Sequence, residues 1–373
     1  MLAPNENDAS IIRHDVVREV WSYGKVRANR RAAGHDGEGP VLMENLVLKY
    51  AGLLYLDRTL PLLTGEVKVD GVDLEYEVFP RVEDLFRRQA REAEFPVAEM
   101  SMSTFMVMKA RGDTSLVGLP IFPSRHFRHR EIYVNTLAGI RTPSDLIGKR
   151  VGVPEYQMTA ALWIRAFLAH DYGVVPSDIR WRTGGLREPD FRERLPTKLP
   201  DEVRIERIPS DQSLERLLRE GGLDALITTE QPPYFGESEP SVRRLFADYG
   251  EVEREYFRRT SLFPIMHLVV LRRDLYEEYP WLAESLTRAF MSAKSVGWDR
   301  MRFQPSLPVM LPWLQEQIEE LDRAFELDVW PYGVSANVTV LRAMTKYAAE
   351  QGLTSRQLEI AELFAPETLT LDL

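Results

Sequence analysis

The chain of 373 residues carries 47 Lys and Arg, 57 Asp and Glu, six His and no Cys. A hydrophobic fraction of 44% is enough for a packed core, so the composition excludes wholesale disorder, and the length indicates about two domains. The net charge of -10 disfavours nucleic-acid binding, which needs a basic face. The absence of Cys excludes disulfides, thiolate nucleophiles and Cys-ligated metals.

The sequence shows neither a targeting signal nor a membrane segment. No stretch approaches the ~18 consecutive apolar residues of a transmembrane helix, and the first ten residues, MLAPNENDAS, lack a basic segment followed by an apolar one. We therefore expect a cytoplasmic protein without a membrane or nucleic-acid partner. The sequence leaves homo-oligomerisation open.

Residues 1–42 differ in composition from the rest of the chain. The run from Arg27 to Pro40 is small, charged and rich in Gly, and such a composition cannot bury a core. We interpret residues 1–42 as a flexible N-terminal extension that is dispensable for the fold. A regulatory arm is the alternative.

From residue 46 onward, strand-like and helix-like patterns alternate along the chain. Strands are predicted at Leu46–Tyr50, Val67–Phe79, Phe95–Met100, Leu116–Pro120, Ile132–Asn135, Arg150–Pro154, Asp224–Ile227 and Ile265–Leu271, and the clearest helices at Val82–Ala93, Thr159–Tyr172 and Trp281–Val296. This order indicates an α/β architecture with mostly parallel sheets. Such sheets bind ligands beyond the carboxyl ends of their strands, so a functional site is expected in the loops that follow strands.

The most unusual local sequence is the Arg/His loop, residues 122–130 (FPSRHFRHR), which follows a predicted strand. Arg125 and Arg128 offer rigid forks of donors for carboxylates, and His126 and His129 exchange protons near neutral pH. The loop therefore suits an anionic substrate that must also be protonated. A solvated basic loop is the alternative. The two His could also form half of a metal site, but pairs at this spacing are common by chance.

A second group of residues follows the strand Arg150–Pro154, in the sequence GVPEYQMTA of residues 152–160. The free N–H groups of a helix that begins near Thr159 attract anions. The alternative is that Thr159 is a plain N-cap and that Glu155 and Tyr156 are loop residues without a role. Arg165, two turns into the helix, faces either the cleft or solvent.

Two further places carry polar groups beside predicted strands. Ser101 and Ser103 follow the strand Phe95–Met100, where hydroxyls bind a ligand oxygen or cap the next helix. His267 lies alone in an apolar strand, where a His is usually a hydrogen-bonded core residue, and a site role is the alternative. The sequence has no GxxxxGKS/T phosphate loop, no HExxH and no G-x-S-x-G elbow.

Four segments resemble the 4,5-dihydroxyphthalate decarboxylase family: residues 122–135 (FPSRHFRHREIYVN), 152–165 (GVPEYQMTAALWIR), 263–267 (FPIMH) and 330–337 (WPYGVSAN). The first two are long and specific, and the similarity extends from about Leu46 to Thr368. That family is related to type II periplasmic solute-binding proteins. The resemblance therefore implies a two-lobed α/β fold of that type, each lobe a mostly parallel sheet flanked by helices, with a ligand cleft between the lobes.

The same relation implies domain boundaries. Residues 43–134 would form lobe 1, residues 135–263 lobe 2, and residues 264–373 would return to lobe 1 and add the C-terminal helices. The two crossings between the lobes are expected near Ile132–Asn135 and Phe263–His267. This arrangement would bring the Arg/His loop, the Glu155–Thr159 loop and His267 to one cleft.

The reaction that the resemblance implies is the non-oxidative decarboxylation of 4,5-dihydroxyphthalate to protocatechuate and CO2, a carboxy-lyase reaction of phthalate degradation. Each carboxylate of this substrate lies para to a hydroxyl. Deprotonation of that hydroxyl pushes electron density onto the carbon that bears the carboxylate, and protonation there followed by loss of CO2 restores aromaticity. No cofactor is required. A divalent metal bound by the catechol is an alternative that no residue cluster in the sequence indicates.

Such a reaction needs an anion clamp, a proton donor and a group that acts on the ring hydroxyls. Arg125 and Arg128 are predicted to bind the carboxylates, and His129 or His126 to protonate the ring carbon. Glu155 or His267 is predicted to act on the ring hydroxyls. Further substrate-binding residues are Tyr156, Thr159, Ser101, Ser103 and Arg165. The main rival function is a solute-binding protein of a transporter that holds an aromatic or other organic anion without chemistry, since fold does not fix function.

Overall fold

Two β-sheets with helices packed on them make up the part of the chain that the structure describes. The computed structural model describes residues 45–189, 194–196, 199–236, 241–303, 305–325 and 328–371. The predicted N-terminal extension, residues 1–42, lies outside the described residues.

The strands in the described residues are β1 Leu46–Gly52, β2 Val72–Val78, β3 Val97–Ser101, β4 Leu116–Arg125, β5 Ile132–Asn135, β6 Arg150–Gly152, β7 Arg180–Thr183, β8 Ile205–Arg207, β9 Ala225–Ile227, β10 Val242–Arg244 and β11 Ile265–Arg272. The helices are α1 Leu60–Leu63, α2 Val82–Glu92, α3 Met102–Ala110, α4 Thr159–Tyr172, α5 Leu214–Glu220, α6 Tyr249–Thr260, α7 Arg273–Glu278, α8 Trp281–Phe303, α9 Leu314–Phe325 and α10 Val338–Glu350.

The architecture is α/β, as predicted, and both sheets are mixed, with a larger share of antiparallel pairs than the mostly parallel sheets expected. Sheet 1, in lobe 1, has the order β2-β1-β3-β11-β4, and sheet 2, in lobe 2, has the order β10-β5-β9-β6-β7-β8. In sheet 1, β1 runs parallel to β2 and β3, but β11 runs antiparallel to β3 and β4. The antiparallel pairs arise because β11 enters sheet 1 from the other lobe.

The boundary between the lobes falls earlier than predicted. Ile132–Asn135, which we expected to be the crossing, with residues up to 134 in lobe 1, pairs with β9 and β10 and therefore belongs to sheet 2. The first crossing is consequently residues 126–131, between β4 and β5. The return crossing lies between the end of α6 at Thr260 and the start of β11 at Ile265, close to the predicted position. An apolar strand such as IYVN fits the interior of either sheet, so only the pairing decides its lobe.

Helix α4 is the element that joins the lobes. Its residues from Thr159 to Leu168 are all buried, as expected of a helix that is apolar around its circumference. It packs against α3 of lobe 1 and against α10. The Trp163 indole also donates to the Ile265 carbonyl of β11 at 2.9 Å. None of the helices in the described ranges combines the length and the apolar character that crossing a bilayer demands.

Candidate active site

Two helices begin face to face at the junction of the lobes. Strand β3 ends at Ser101, whose side chain caps α3 by accepting the Thr104 N–H, and α4 begins at Thr159 in lobe 2. The Thr159 hydroxyl accepts the Ser103 N–H at 3.1 Å and lies 2.9 Å from the Ser101 hydroxyl. Met158 is the N-cap of α4, so Thr159 is not the plain cap that was the alternative. The positive ends of two helix dipoles therefore converge on a cluster of hydroxyls.

A carboxylate–imidazole pair lies beside this cluster. In the sheet register, His267 of β11 is opposite Ser101 of β3 and Ser124 of β4, so the three side chains share one face. Glu99, two residues before Ser101, lies on the same face and its Oε1 is 2.6 Å from His267 Nδ1. Glu99 is fully buried, whereas the His267 side chain retains 16% exposure. The pair thus combines a buried acceptor with an imidazole that reaches the cleft.

The loop after β1 completes the hydrogen bonds of Glu99. The Tyr55 hydroxyl donates to Glu99 Oε1 at 2.7 Å and the Leu53 N–H donates to Oε2 at 3.0 Å. Burial, together with the charge of Glu99, raises the pKa of Tyr55 well above its usual value, so Tyr55 remains a phenol donor. Arg58 stacks 3.9 Å from the Tyr55 ring and 4.4 Å from the Trp330 ring. Arg58 also pairs with Asp57 at 2.5 Å, so its charge is balanced within this loop.

Glu155 is held in a buried ion pair. Arg194 Nε lies 2.9 Å from Glu155 Oε2, and the Arg194 N–H donates to Oε1 at 2.6 Å. The Arg194 guanidinium also lies 5.3 Å from the ring of Phe86, which contacts His267 edge to face at 4.8 Å. The pair therefore links the Glu155 loop of lobe 2 to α2 of lobe 1. Both oxygens of Glu155 are used in this pair.

Arg165 is only 1% exposed and therefore does not face solvent, and its role in substrate binding stays a prediction. Its Nε donates to Gln351 Oε1 at 2.8 Å, and its guanidinium stacks 3.7 Å from the Tyr156 ring. Burial lowers the pKa of Arg165 to about 10 and raises that of Tyr156. A cavity of about 330 Å³ opens beside Tyr156 and Thr183, on the lobe 2 side of the loop, and His267 does not line it.

In the Arg/His loop, Arg125 joins three of the family-like segments. Its guanidinium donates to the Phe263 carbonyl at 3.1 Å, to the Pro331 carbonyl at 2.8 Å and to the side-chain oxygen of Asn337. The residue is only 4% exposed, and burial lowers its pKa to about 9. These bonds hold the end of β4 to the return crossing and to residues 330–337. Carboxylate binding by Arg125 stays a prediction.

His129 lies in an aromatic cluster of lobe 2. Its ring stacks on Phe167 at 4.0 Å and contacts the edges of Phe246 and Tyr256. Burial, and secondarily Arg259, lower the pKa of His129 to about 4. Phe167 is eight residues after Thr159 on α4, about 12 Å along the helix axis. His129 therefore contacts α4 away from the start of the helix at Thr159, and its catalytic role stays a prediction.

The remaining loop residues are neutralised locally. Arg128 Nη1 pairs with buried Glu131 at 2.6 Å, and burial with the charge of Arg128 lowers the pKa of His126 to about 4. The nearest carboxylates to the two imidazoles differ, Glu131 for His126 and Glu253 for His129, each at 4.0 Å. Within the described ranges, no three His, Asp or Glu side chains are grouped so as to hold a metal ion. The predictions on cofactors stay untested.

The predicted residues thus separate into a group at the junction of the lobes, here called the cleft group (Ser101, Ser103, Thr159 and His267), and a set that packs elsewhere. In that set, the Tyr156 hydroxyl and both η nitrogens of Arg165 are buried without a hydrogen-bond partner. The sequence reasoning missed Glu99, Tyr55, Arg58 and Arg194. Glu99 had a usable signal, because an acidic residue inside the buried strand VAEMS requires a partner. Tyr55, Arg58 and Arg194 reach the site from irregular segments, and no local pattern marks them.

The fold and the cleft define a class, the two-lobed α/β proteins of the solute-binding type. The chain aligns with the periplasmic aliphatic sulphonate binding protein SsuA from Escherichia coli with a TM-score of 0.50 and 14% identity, covering 87% of this chain and 99% of that one. At this identity the similarity concerns the fold alone.

Sequence similarity identifies the family within that class. The chain is 39% identical over 313 residues to the 4,5-dihydroxyphthalate decarboxylase of Comamonas testosteroni, covering 84% of this chain and 94% of the relative. It is also 39% identical over 222 residues to the enzyme of the same name from Pseudomonas putida, covering 60% and 85%. No protein-family model matches the chain. The protein belongs to the 4,5-dihydroxyphthalate decarboxylase family, which confirms the resemblance seen in the sequence.

Proposed function

We propose that this protein is a carboxy-lyase that converts 4,5-dihydroxyphthalate to protocatechuate and CO2. The observation that carries the proposal is the 39% identity over 94% of the length of a relative that bears this name. The cleft chemistry supports it, because a dicarboxylate requires converging donors and the reaction requires a proton donor.

The cleft group fits the anionic end of such a substrate. The hydroxyls of Ser101, Ser103 and Thr159 meet at the starts of α3 and α4, where they bond to one another, and a bound carboxylate would take the place of these bonds. Buried Phe86 packs edge to face against His267 and helps to hold the imidazole in place. Contact between the lobes would exclude water and strengthen these interactions.

The proposal is tested by mixing the purified protein with 4,5-dihydroxyphthalate and measuring CO2 and protocatechuate, with and without a chelator. Equal rates in both samples are expected, because the phenolate of the substrate supplies the electron density and no cofactor is required. If the chelator abolishes activity and an added divalent metal restores it, the reaction is metal-dependent and the metal-free route is wrong. Binding without any product would favour the rival function, a solute-binding protein.

A second substrate tests the electron push from the para hydroxyl. In 4-hydroxyphthalate only one carboxylate lies para to a hydroxyl, so the expected product is 3-hydroxybenzoate. Phthalate, which has no hydroxyl, should bind without releasing CO2. Formation of 4-hydroxybenzoate instead would contradict the mechanism even if the protein proved to be a decarboxylase.

A further inference from the structure

We propose that His267 delivers the proton to the ring carbon through Nε2, and that Glu99 and Tyr55 are positioning residues that hold His267 for this step. The inference rests on the proposed decarboxylation and selects one donor among the histidines. It differs from the role predicted from the sequence, in which the Arg/His loop supplied this proton.

The first argument is the hydrogen bonding of Glu99. A carboxylate only accepts hydrogen bonds, and Glu99 accepts three, from the Leu53 N–H, the Tyr55 hydroxyl and His267 Nδ1. Nδ1 therefore carries a hydrogen, and the ring orientation is fixed by a fully buried partner. With Nδ1 held by Glu99, Nε2 is the ring nitrogen left to exchange a proton with a substrate.

The second argument is the place of His267 along the substrate. Its strand partner is Ser101, the N-cap of α3, where the cleft offers donors to a carboxylate. Cross-strand partners have their Cβ atoms about 5 Å apart, so the imidazole lies next to the bound carboxylate end of a substrate and not next to its hydroxyl end. The carbon that bears a carboxylate is the atom that must be protonated.

The third argument is the state of the other histidines in the described residues. His126 and His129 have pKa values lowered to about 4 by burial, and no carboxylate lies within hydrogen-bond distance of either ring. His170 pairs with Glu350 at 2.7 Å, but it lies near the opposite end of α4 from Thr159. His267 is therefore the only histidine of the described ranges that combines a carboxylate partner with a place at the cleft.

The step conserves atoms and charge. The Nε2–H bond of the imidazolium breaks and a C–H bond forms at the ring carbon of the substrate phenolate, which becomes a dienone. The bond to the carboxylate then breaks, its electron pair restores the aromatic phenolate, and CO2 leaves. His267 regains a proton from water, so one proton is consumed in each turnover.

The test compares His267→Gln and Glu99→Gln with the wild type under saturating 4,5-dihydroxyphthalate. We expect His267→Gln to lower kcat by about 10²- to 10⁴-fold with little change in KM. Glu99→Gln should lower kcat at least about tenfold, as seen when a carboxylate that orients a His is replaced. His170→Gln and Glu350→Gln are matched controls, since they disrupt another His–Glu pair that lies outside the cleft.

The split between kcat and KM separates positioning from a merely structural role. A variant that folds and binds the substrate but holds His267 wrongly loses kcat at an unchanged KM, and this is the result expected for Glu99→Gln. Tyr55→Phe removes a donor to Glu99 and should give a smaller loss of kcat.

Chemical rescue distinguishes a variant that has lost its proton donor from one that is inactive because it is misfolded. The activity of His267→Ala should rise with added imidazole, whereas that of Glu99→Gln should not. If the wild type makes product and His267→Gln is equally active, this inference alone is overturned. A wild type that makes no product would overturn the proposed function, and this inference with it.

Discussion

Two histidines of this protein show how the surroundings of a residue decide its chemistry. His267 shares a hydrogen bond with a buried carboxylate and keeps part of its surface at the cleft. His129 is enclosed by Phe167, Phe246 and Tyr256, and its Nδ1 has no hydrogen-bond partner. The first environment orients the ring by a hydrogen bond, whereas burial in the second lowers the pKa of His129 and favours its neutral ring. Residue type alone would have made the two equivalent.

This contrast predicts how His129 affects stability against pH. Burial lowers its pKa from 6.5 to about 4, so between these values the unfolded chain binds a proton that the folded chain does not. Stability is full above pH 6.5 and falls as the pH decreases towards 4. We expect His129→Phe to remove this loss and to unfold with a free energy higher than that of the wild type by up to about 3 kcal/mol near pH 4. Denaturant unfolding of both proteins at several pH values measures this difference in the free energy of unfolding.

The difference between variant and wild type is the useful quantity, because Glu253 titrates nearby with the opposite sign. Burial raises the pKa of Glu253 to about 7, which destabilises the fold as the pH rises from 4.5 to 7 in both proteins. Decarboxylation by His129→Phe should remain close to that of the wild type. A strong loss of kcat with an unchanged fold would return His129 to the catalytic role first predicted for it.

At the scale of elements, α8 supports the loop that carries Tyr55 and Arg58. A Cβ at Gly297 of α8 would lie 2.2 Å from the carbonyl oxygen of Asp57, so the loop backbone rests directly on the helix at this point. No side chain fits between them without displacing the loop. The absence of a side chain at one helical position therefore sets the distance between α8 and the candidate active site.

Gly297→Ala should consequently affect both stability and activity. The added methyl forces the loop outward, and overpacking of this kind costs about 1–3 kcal/mol. Since Tyr55 and Arg58 move with the loop, kcat/KM for 4,5-dihydroxyphthalate should fall several-fold. Thermal unfolding and steady-state kinetics measure the two effects.

Gly250→Ala in α6 is a matched control for Gly297→Ala. Its Cβ would approach only the flexible Arg254 side chain, at 3.3 Å, and Ala is the better helix former by up to about 1 kcal/mol. The control should be neutral or slightly more stable, with unchanged kinetics. If Gly297→Ala keeps the thermal stability and the kcat/KM of the wild type, the position of the loop does not depend on this contact.

At the scale of the whole molecule, the lobes touch through polar groups that a substrate would use. The Ser101–Thr159 contact at 2.9 Å and the bond from Ser103 to the Gln157 carbonyl join lobe 1 to lobe 2. The indole of Trp163 adds a bond to β11. A dicarboxylate that accepts hydrogen bonds from both lobes would replace the first two contacts. Ligand binding and association of the lobes are therefore expected to be linked.

Phthalate, which cannot react, should stabilise the protein by this linkage. At a concentration 100 times its Kd, a ligand that binds only the folded state adds about 2.7 kcal/mol, so Tm should rise with phthalate concentration. Thr159→Val, which keeps the shape but removes the hydroxyl, should weaken phthalate binding and reduce the shift. Thr159→Ser should preserve most of it. A Tm that saturating phthalate leaves unchanged in the wild type would contradict binding between the lobes.

The sequence by itself determined the class of fold, the family and part of the cleft. Alternating strand and helix patterns are local, so β3, α4 and β11 were predicted near their observed positions. Ser101, Ser103 and Thr159 were found because hydroxyls at the ends of strands and the starts of helices have a local reason to be there. The family resemblance needed only segments that are continuous in the chain.

Only the tertiary structure decided which of these residues meet. Glu99 and His267 are 168 residues apart, and their contact exists because β11 returns from lobe 2 to pair with β3. The lobe of Ile132–Asn135 likewise depends on its partners β9 and β10. Burial decided the rest, since it enclosed His129 and Arg125 among groups that are distant in sequence. Strand pairing and burial are properties of the folded chain, and no local pattern contains them.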